Sequence, residues 1–195
     1  MVTLMKPGKG SGTGPGSGTG NPEGQHLSVP LPQVLTMKQH EVFESVPGIL
    51  RPFKAYIDGL KLGSGDQIVY YGVPGTCTPF IELLGFAIRS SPATQVFVPL
   101  TDESKARKIA SVPDVGMQVS QQAAKPAPKV IVLMGGLSMP NSNVTADQVK
   151  TVISKYRVPL IGVCFMKMFE KTGWTKTFDF FLLIDANIAP VDVWK

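Results

Sequence analysis

Three apolar runs, each ended by a turn that carries glycine or cysteine, set the plan of the chain. Ile68–Tyr71, Val130–Met134 and Leu160–Val163 lack the strict alternation of a half-exposed strand. They read as strands covered on both faces. After the first run, Gly72, Pro74 and Gly75 break the strand. Phe80, Leu83, Leu84, Ala87 and Ile88 then recur at the spacing of one buried helix face. Thr78 fits the N-cap of that helix and Pro79 its first turn, where a missing N–H costs nothing. Glu82 and Arg89 fall off the apolar stripe.

The same pattern reading extends along the chain. Glu41 to Leu60 reads as helical with a break near Pro47–Gly48, placing Val42, Val46, Ile49, Leu50, Phe53 and Ile57 toward the core and a kink or restart at Pro52. Gln95–Leu100 is a second short strand. Thr101, Asp102 and Glu103 open a short helix through Ala110, their acidic groups matching its dipole. Val115–Ser120 is a third strand near an edge. Thr145 or Asp147 caps a helix to about Tyr156 with Val149, Val152 and Ile153 inward. Phe165–Lys171 is a short helix and Phe180–Asp185 the last strand. Strands alternating with helices imply an α/β class: a three-layer, doubly wound, Rossmann-like fold with a largely parallel sheet of five to six strands. The expected strand order is 3-2-1-4-5-6.

Composition adds a boundary. Residues 6–24 are rich in Gly, Ser, Thr and Pro and read as flexible, so the division is a tail and extended lead-in over 1–37 and a single α/β domain over 38–195. The tail's glycines fall only at even positions, whereas a G-x-G-x-x-G fingerprint needs two of them an odd distance apart. Walker A spacing is missing from the three turns as well. Without either phosphate fingerprint, an acidic residue after the second strand, Asp102 or Glu103, is a weak pointer to a ribose. Formal net charge is +5, but Lys and Arg are scattered and form no basic stripe with interleaved aromatics, which argues against nucleic acid. No apolar run approaches the length of a membrane span, and the N-terminus lacks the apolar core of a secretory signal. With two cysteines and no disulfide framework, a reducing cytoplasm is the simplest compartment.

The chemistry converges on the turns. In the order 3-2-1-4-5-6 the strands ending at Val73 and Met134 flank the switch point, where ligands of such sheets bind beyond the carboxyl ends. The next strand over ends at Cys164. Gly72, Gly75, Thr76, Thr78, Gly135, Gly136 and Ser138 become the candidate ligand contacts, and a helix N-terminus there favours an anion, such as a nucleotide or cofactor fragment. Cys77 and Cys164 are the candidate nucleophiles or redox thiols, and Cys77, just ahead of a helix, gains thiolate character. The two should lie two strand spacings apart, roughly 10 Å, with both thiols free, Gly135–Gly136 between them and one surface depression shared. Asp185 joins that site or caps a turn. Two thiols are too few for a closed zinc site, so no metal is expected, and no cofactor is specified.

Two resemblances bear on these residues. Gly162-Val163-Cys164-Phe165-Met166 looks like the nucleophile elbow of class I glutamine amidotransferases, but Met166 stands where that elbow has a small Gly. His26 and His40 both precede the cysteine, where the amidotransferase histidine would follow it. Taken together, YYGVPGTCTPF, VLMGGLSMP and GVCFMKMFEK resemble an uncharacterised archaeal family, a domain of unknown function found mainly in methanogens, over about residues 38 to 193. That resemblance implies a cytoplasmic archaeal protein and carries over no catalytic residues. The expectation is a binding protein for a small anionic ligand. The alternatives are a cysteine-dependent enzyme or redox protein and an interaction module in a methanogen assembly, forming a homo-oligomer or engaging a protein partner.

Overall fold

The computed structural model describes residues 40–195. The glycine-rich stretch and the reading of it as a flexible tail lie outside those residues.

Helix α1 (Ser45–Gly59) leads to strand β1 (Gln67–Gly72), helix α2 (Thr78–Ala87) and strand β2 (Thr94–Pro99). Strands β3 (Arg107–Val112), β4 (Gly116–Ala123) and β5 (Val130–Met134) follow, then α3 (Ala146–Ile153), β6 (Leu160–Phe165), the single-turn helices α4 (Met168–Lys171) and α5 (Trp174–Thr177), and β7 (Leu182–Ala186). The sheet has seven strands in the order β4-β3-β2-β1-β5-β6-β7. β2, β1, β5, β6 and β7 pair in parallel, while β2–β3 and β3–β4 are antiparallel. The five strands expected around the switch point are therefore in the expected order. The count of five to six is corrected by one strand, Arg107–Val112, which stands between the expected second and third.

That strand replaces most of the helix expected over Thr101–Ala110. Only a 3₁₀ turn forms, at Glu103–Lys105, where Asp102 accepts the Ser104 N–H. The acidic start is a local signal, and one turn satisfies it. Arg107–Val112 then finds a strand partner nine residues on, and the hairpin ladder outweighs helix propensity. The expected third strand is real but longer, and it pairs antiparallel at the sheet's outer edge.

Two apolar cores lie on opposite faces of the sheet, as the period of two along each strand requires. Ile68 and Tyr70 enter one with Phe53 and Ile57 of α1 and Ile81, Leu84 and Ile88 of α2. Val69 and Tyr71 enter the other with Val149 of α3, Phe169 of α4 and Trp174 of α5. The buried stripe of α2 runs through Ile81, Leu84, Gly85 and Ile88, so Phe80, Leu83 and Ala87 are only half-buried. The helix uses no side-chain cap at its start. Val42 and Val46 are exposed, contrary to expectation, because the helix starts at Ser45 and its first turn rises clear of the sheet. Thr145 does cap α3, in a reciprocal box with Gln148. Glu82, off the stripe, accepts the Val119 N–H at 2.9 Å and so ties α2 to edge strand β4.

Candidate functional site

The turn after β1 is built on backbone bonds. The Cys77 N–H donates to Val73 O at 2.8 Å, and the Ile81 N–H to Cys77 O at 3.0 Å. Gly75 sits in the left-handed region at φ +76° with open space around it, where a side chain would be strained. Its N–H donates to Thr78 Oγ1 at 3.2 Å. Gly75 and Thr76 are exposed and Thr78 is half-buried, so these three form an accessible lip at the carboxyl edge.

The diglycine after β5 is different. A Cβ built on Gly135 would strike the Cβ of Cys164 and come within 2.8 Å of its Cα. One on Gly136 would strike the Cys77 sulfur, and one on Gly72 would lie 2.9 Å from the Cys77 Cβ. The structure thus brings Cys77, Cys164, Gly72, Gly135 and Gly136 together, with the diglycine between the cysteines. These glycines are small because protein atoms already fill the space beside them. Ser138 is buried too, and its hydroxyl donates to Gly135 O at 2.9 Å, closing the Gly135–Ser138 turn.

Both thiols are free and buried, and they belong to different cores, Cys77 to the α1–α2 face and Cys164 to the α3–α5 face. A shared surface depression is therefore not what they line. Burial pushes the Cys77 thiol up, with backbone groups of Val73 and Gly136 offsetting part of the rise. Burial likewise pushes Cys164 up to about 12, and the nearby Asp185 carboxylate adds to it. The thiolate character expected of Cys77 is overturned, because at this depth desolvation exceeds the pull of the helix end. Iodoacetamide at pH 8 should leave both thiols unlabelled in the folded protein and label both in denaturant. Rapid labelling of either in the native state would contradict this burial.

Cys164 also differs from an elbow nucleophile in backbone. It lies inside β6, and the sharp turn comes later, at Met166 and Lys167, with φ of 54° and 58°. Asp185 caps this turn by accepting the Lys167 N–H at 3.0 Å. The rings of Phe80 and Phe165 lie 4.4 Å apart, so the end of β6 packs against the first turn of α2. Among the described residues, no group of three or more His, Cys, Asp or Glu is placed to hold a metal ion.

A second constellation escaped the sequence reading. Glu103 Oε1 accepts the Tyr71 hydroxyl at 2.7 Å and the Tyr156 hydroxyl at 2.8 Å, while Oε2 accepts Lys155 Nζ at 2.6 Å. Burial alone would raise the Glu103 carboxyl, but these three donors together hold it below its ordinary range. Burial, and then the same carboxylate, pushes the Tyr71 hydroxyl far up. Glu103 is thus fully engaged, and Asp102 is spent on its own turn and on Lys105 at 3.0 Å, so neither stands ready for a ribose. Tyr71 in its strand carried no polar signal, and only the fold places Tyr156 beside it.

These features define an α/β protein with a mostly parallel seven-strand sheet whose two buried cysteines pack against glycines where three parallel strands end. The chain belongs to a family of uncharacterised proteins conserved in archaea (DUF2124), whose model matches residues 44–189. It is 35% identical over 156 residues to an uncharacterised protein of Methanocaldococcus jannaschii, covering 80% of this chain and 93% of that one. It is 37% identical over 151 residues to an uncharacterised protein of Methanothermobacter thermautotrophicus, covering 76% and 95%. A crystal structure of a protein of unknown function from Methanothermobacter thermautotrophicus superposes with a TM-score of 0.70 at 31% identity, over 82% of this chain and 99% of that one. The resemblance seen in the three turn motifs is thereby established. Among the described residues no helix is long and apolar enough to cross a membrane.

Proposed function

We propose that this protein binds a small anionic ligand at the carboxyl edge of its sheet, with a Rossmann-like architecture as scaffold. The contacts are the lip at Gly75, Thr76 and Thr78 together with Lys167. Gly72, Gly135, Gly136 and Ser138 serve this site from below, by letting the turns pack. The supporting observation is the Phe80–Phe165 contact, which packs the end of β6, two residues before Lys167, against the first turn of a ten-residue helix. Lys167 Nζ lies 3.8 Å from Glu170 Oε2, a surface pair that a ligand anion would compete with. A helix start and an ammonium group both favour negative charge, and the carboxyl ends of parallel strands are where such sheets bind ligands.

A thermal-shift screen of nucleotides and phosphate esters tests the reading. A ligand at about 100 times its Kd should raise Tm by about 5–10 °C in a domain of this size. Lys167→Gln should reduce that rise. No rise with any of these ligands, or an undiminished rise in the variant, rejects this site.

A further inference from the structure

The opposite, amino edge of the sheet holds a hollow that the ligand-binding reading leaves unused. The β2–β3 ladder stops at Gln95 and Ile109, but β3 runs on to Val112 against β4. The hairpin therefore overhangs β2. Between that overhang and the turn from α2 into β2 lies a hollow of about 490 Å³, a size common to small-molecule sites. It lies at the far end of the strands from the lip at 75–78, since Thr94 in its lining is opposite Gln67, the first residue of β1.

The lining has one sign of charge. Arg89 and Lys108 are among its lining residues, and no Asp or Glu is. Lys108 pairs with Val96, so its side chain leaves the sheet on the face opposite Ile109 and Met117. Among the described residues neither cation takes part in an ion pair. Arg89 is already oriented: its guanidinium donates to Phe86 O at 2.9 Å and lies 4.1 Å from the Phe86 ring centroid. One bond of five leaves most of its donor fork free, in a fixed direction, so little side-chain freedom is lost on capturing an anion. Hydroxyls of Ser91, Thr94 and Ser111 add donors. Ser91 Oγ accepts the Ala93 N–H, which leaves its own O–H to donate. Gln95 lines the floor, 4% exposed, with its oxygen taken by Tyr70 and one N–H by Gly85 O. Its amide has a second N–H to offer. Ile109 and Met117 supply an apolar wall.

We propose that this hollow is a second binding site, for a small molecule bearing a phosphate-ester dianion. The oriented Arg89 guanidinium, with Lys108 and no acidic residue in the lining, favours an anion. A guanidinium fork among hydroxyls matches tetrahedral oxygens better than the plane of a single carboxylate. The apolar wall receives the carbon body of the ester.

Amide spectra of the full chain, titrated with glycerol 3-phosphate, inorganic phosphate, malonate and glycerol, test the assignment. Saturable shifts are expected at Arg89–Gln95 and Ser111–Met117 with the two phosphates and none with glycerol. Arg89→Gln should weaken binding by about tenfold or more. Arg89→Lys, which keeps the charge but loses the fork, should weaken it as well. Lys150→Gln, which removes an exposed positive charge on α3, should leave the affinity unchanged. Well-dispersed spectra of each variant establish folding. Phosphate binding that does not saturate, or that survives Arg89→Gln, overturns the site. Malonate binding as tightly as phosphate overturns the ligand class. Shifts confined to residues 74–78 and 166–167 would reject this hollow while supporting the carboxyl-edge reading, and the reverse pattern would do the opposite.

Discussion

Gly135→Ala should destabilise the protein by about 3 kcal/mol, at the upper end for overpacking, and Cys164→Ala should not rescue it. The added methyl meets the Cys164 Cβ, which alanine retains, and lies 2.8 Å from the Cys164 Cα, which no substitution removes. β6 is held on both sides, by β5 and by β7, so its backbone cannot retreat without breaking a ladder. Gly136→Ala should behave differently. Its methyl meets the Cys77 sulfur, with Val73 Cγ2 next at 3.6 Å. Cys77→Ala deletes that sulfur and opens the space. A double-mutant cycle should therefore give a favourable coupling of about 1–2 kcal/mol for Gly136 with Cys77 and little for Gly135 with Cys164. Denaturant melts of the four single and two double variants check this. Equal coupling in the two pairs would show that the packing around the diglycine is misassigned.

Glu103→Ala should cost about 3 kcal/mol, because one carboxylate ends three hydrogen bonds and the Tyr71 hydroxyl would be left inside the core without an acceptor. Glu103→Gln should cost less, since the amide oxygen can still accept from both tyrosines and what is lost is the charged bond to the exposed Lys155. The effect has a pH signature. The folded Glu103 carboxyl lies below its ordinary value of 4.5. Its contribution is thus fully present above about 4.5 and fades as pH falls through the lower folded value. Wild type and Glu103→Gln should differ most at neutral pH and converge in strong acid. A stability gap that stays constant from pH 7 to pH 3 would mean that the carboxylate is not the active element.

The outcome separates what local pattern carries from what only the fold decides. Ile68–Tyr71, Val130–Met134 and Leu160–Val163 announced buried parallel strands, because unbroken apolar runs bounded by turns have few other uses. Their order is that of the common doubly wound sheet, and it placed Gly135–Gly136 between two cysteines distant in sequence. The purpose of those glycines was not legible. A glycine that admits a ligand and one that admits a neighbouring side chain look identical in a sequence, and here Cys77 and Cys164 fill the space. Arg107–Val112 was missed because Asp102 and Glu103 advertise a helix start, while the partner that makes it a strand lies beyond a turn. The Glu103 cluster was missed because Tyr71 reads as one more core aromatic. Arg89 read only as a residue off the apolar stripe, and the overhang beside it depends on where one ladder stops.

The strand order also dictates how the sheet is put together as the chain is made. From β1 through β4, each strand's neighbour is the next one to emerge, so half of the sheet can form in the order of synthesis. The other side of β1 must wait for β5, which pairs Val130 with Ile68. That is roughly 60 residues later, several seconds at ordinary translation rates. During that interval one edge of an apolar strand, with Val69, Tyr70 and Tyr71, is bare backbone open to any passing strand. The nascent chain is therefore most exposed to mispairing in a defined window, between the release of β1 and the arrival of β5. A ribosome stalled inside that window should hold the species that chaperones recognise.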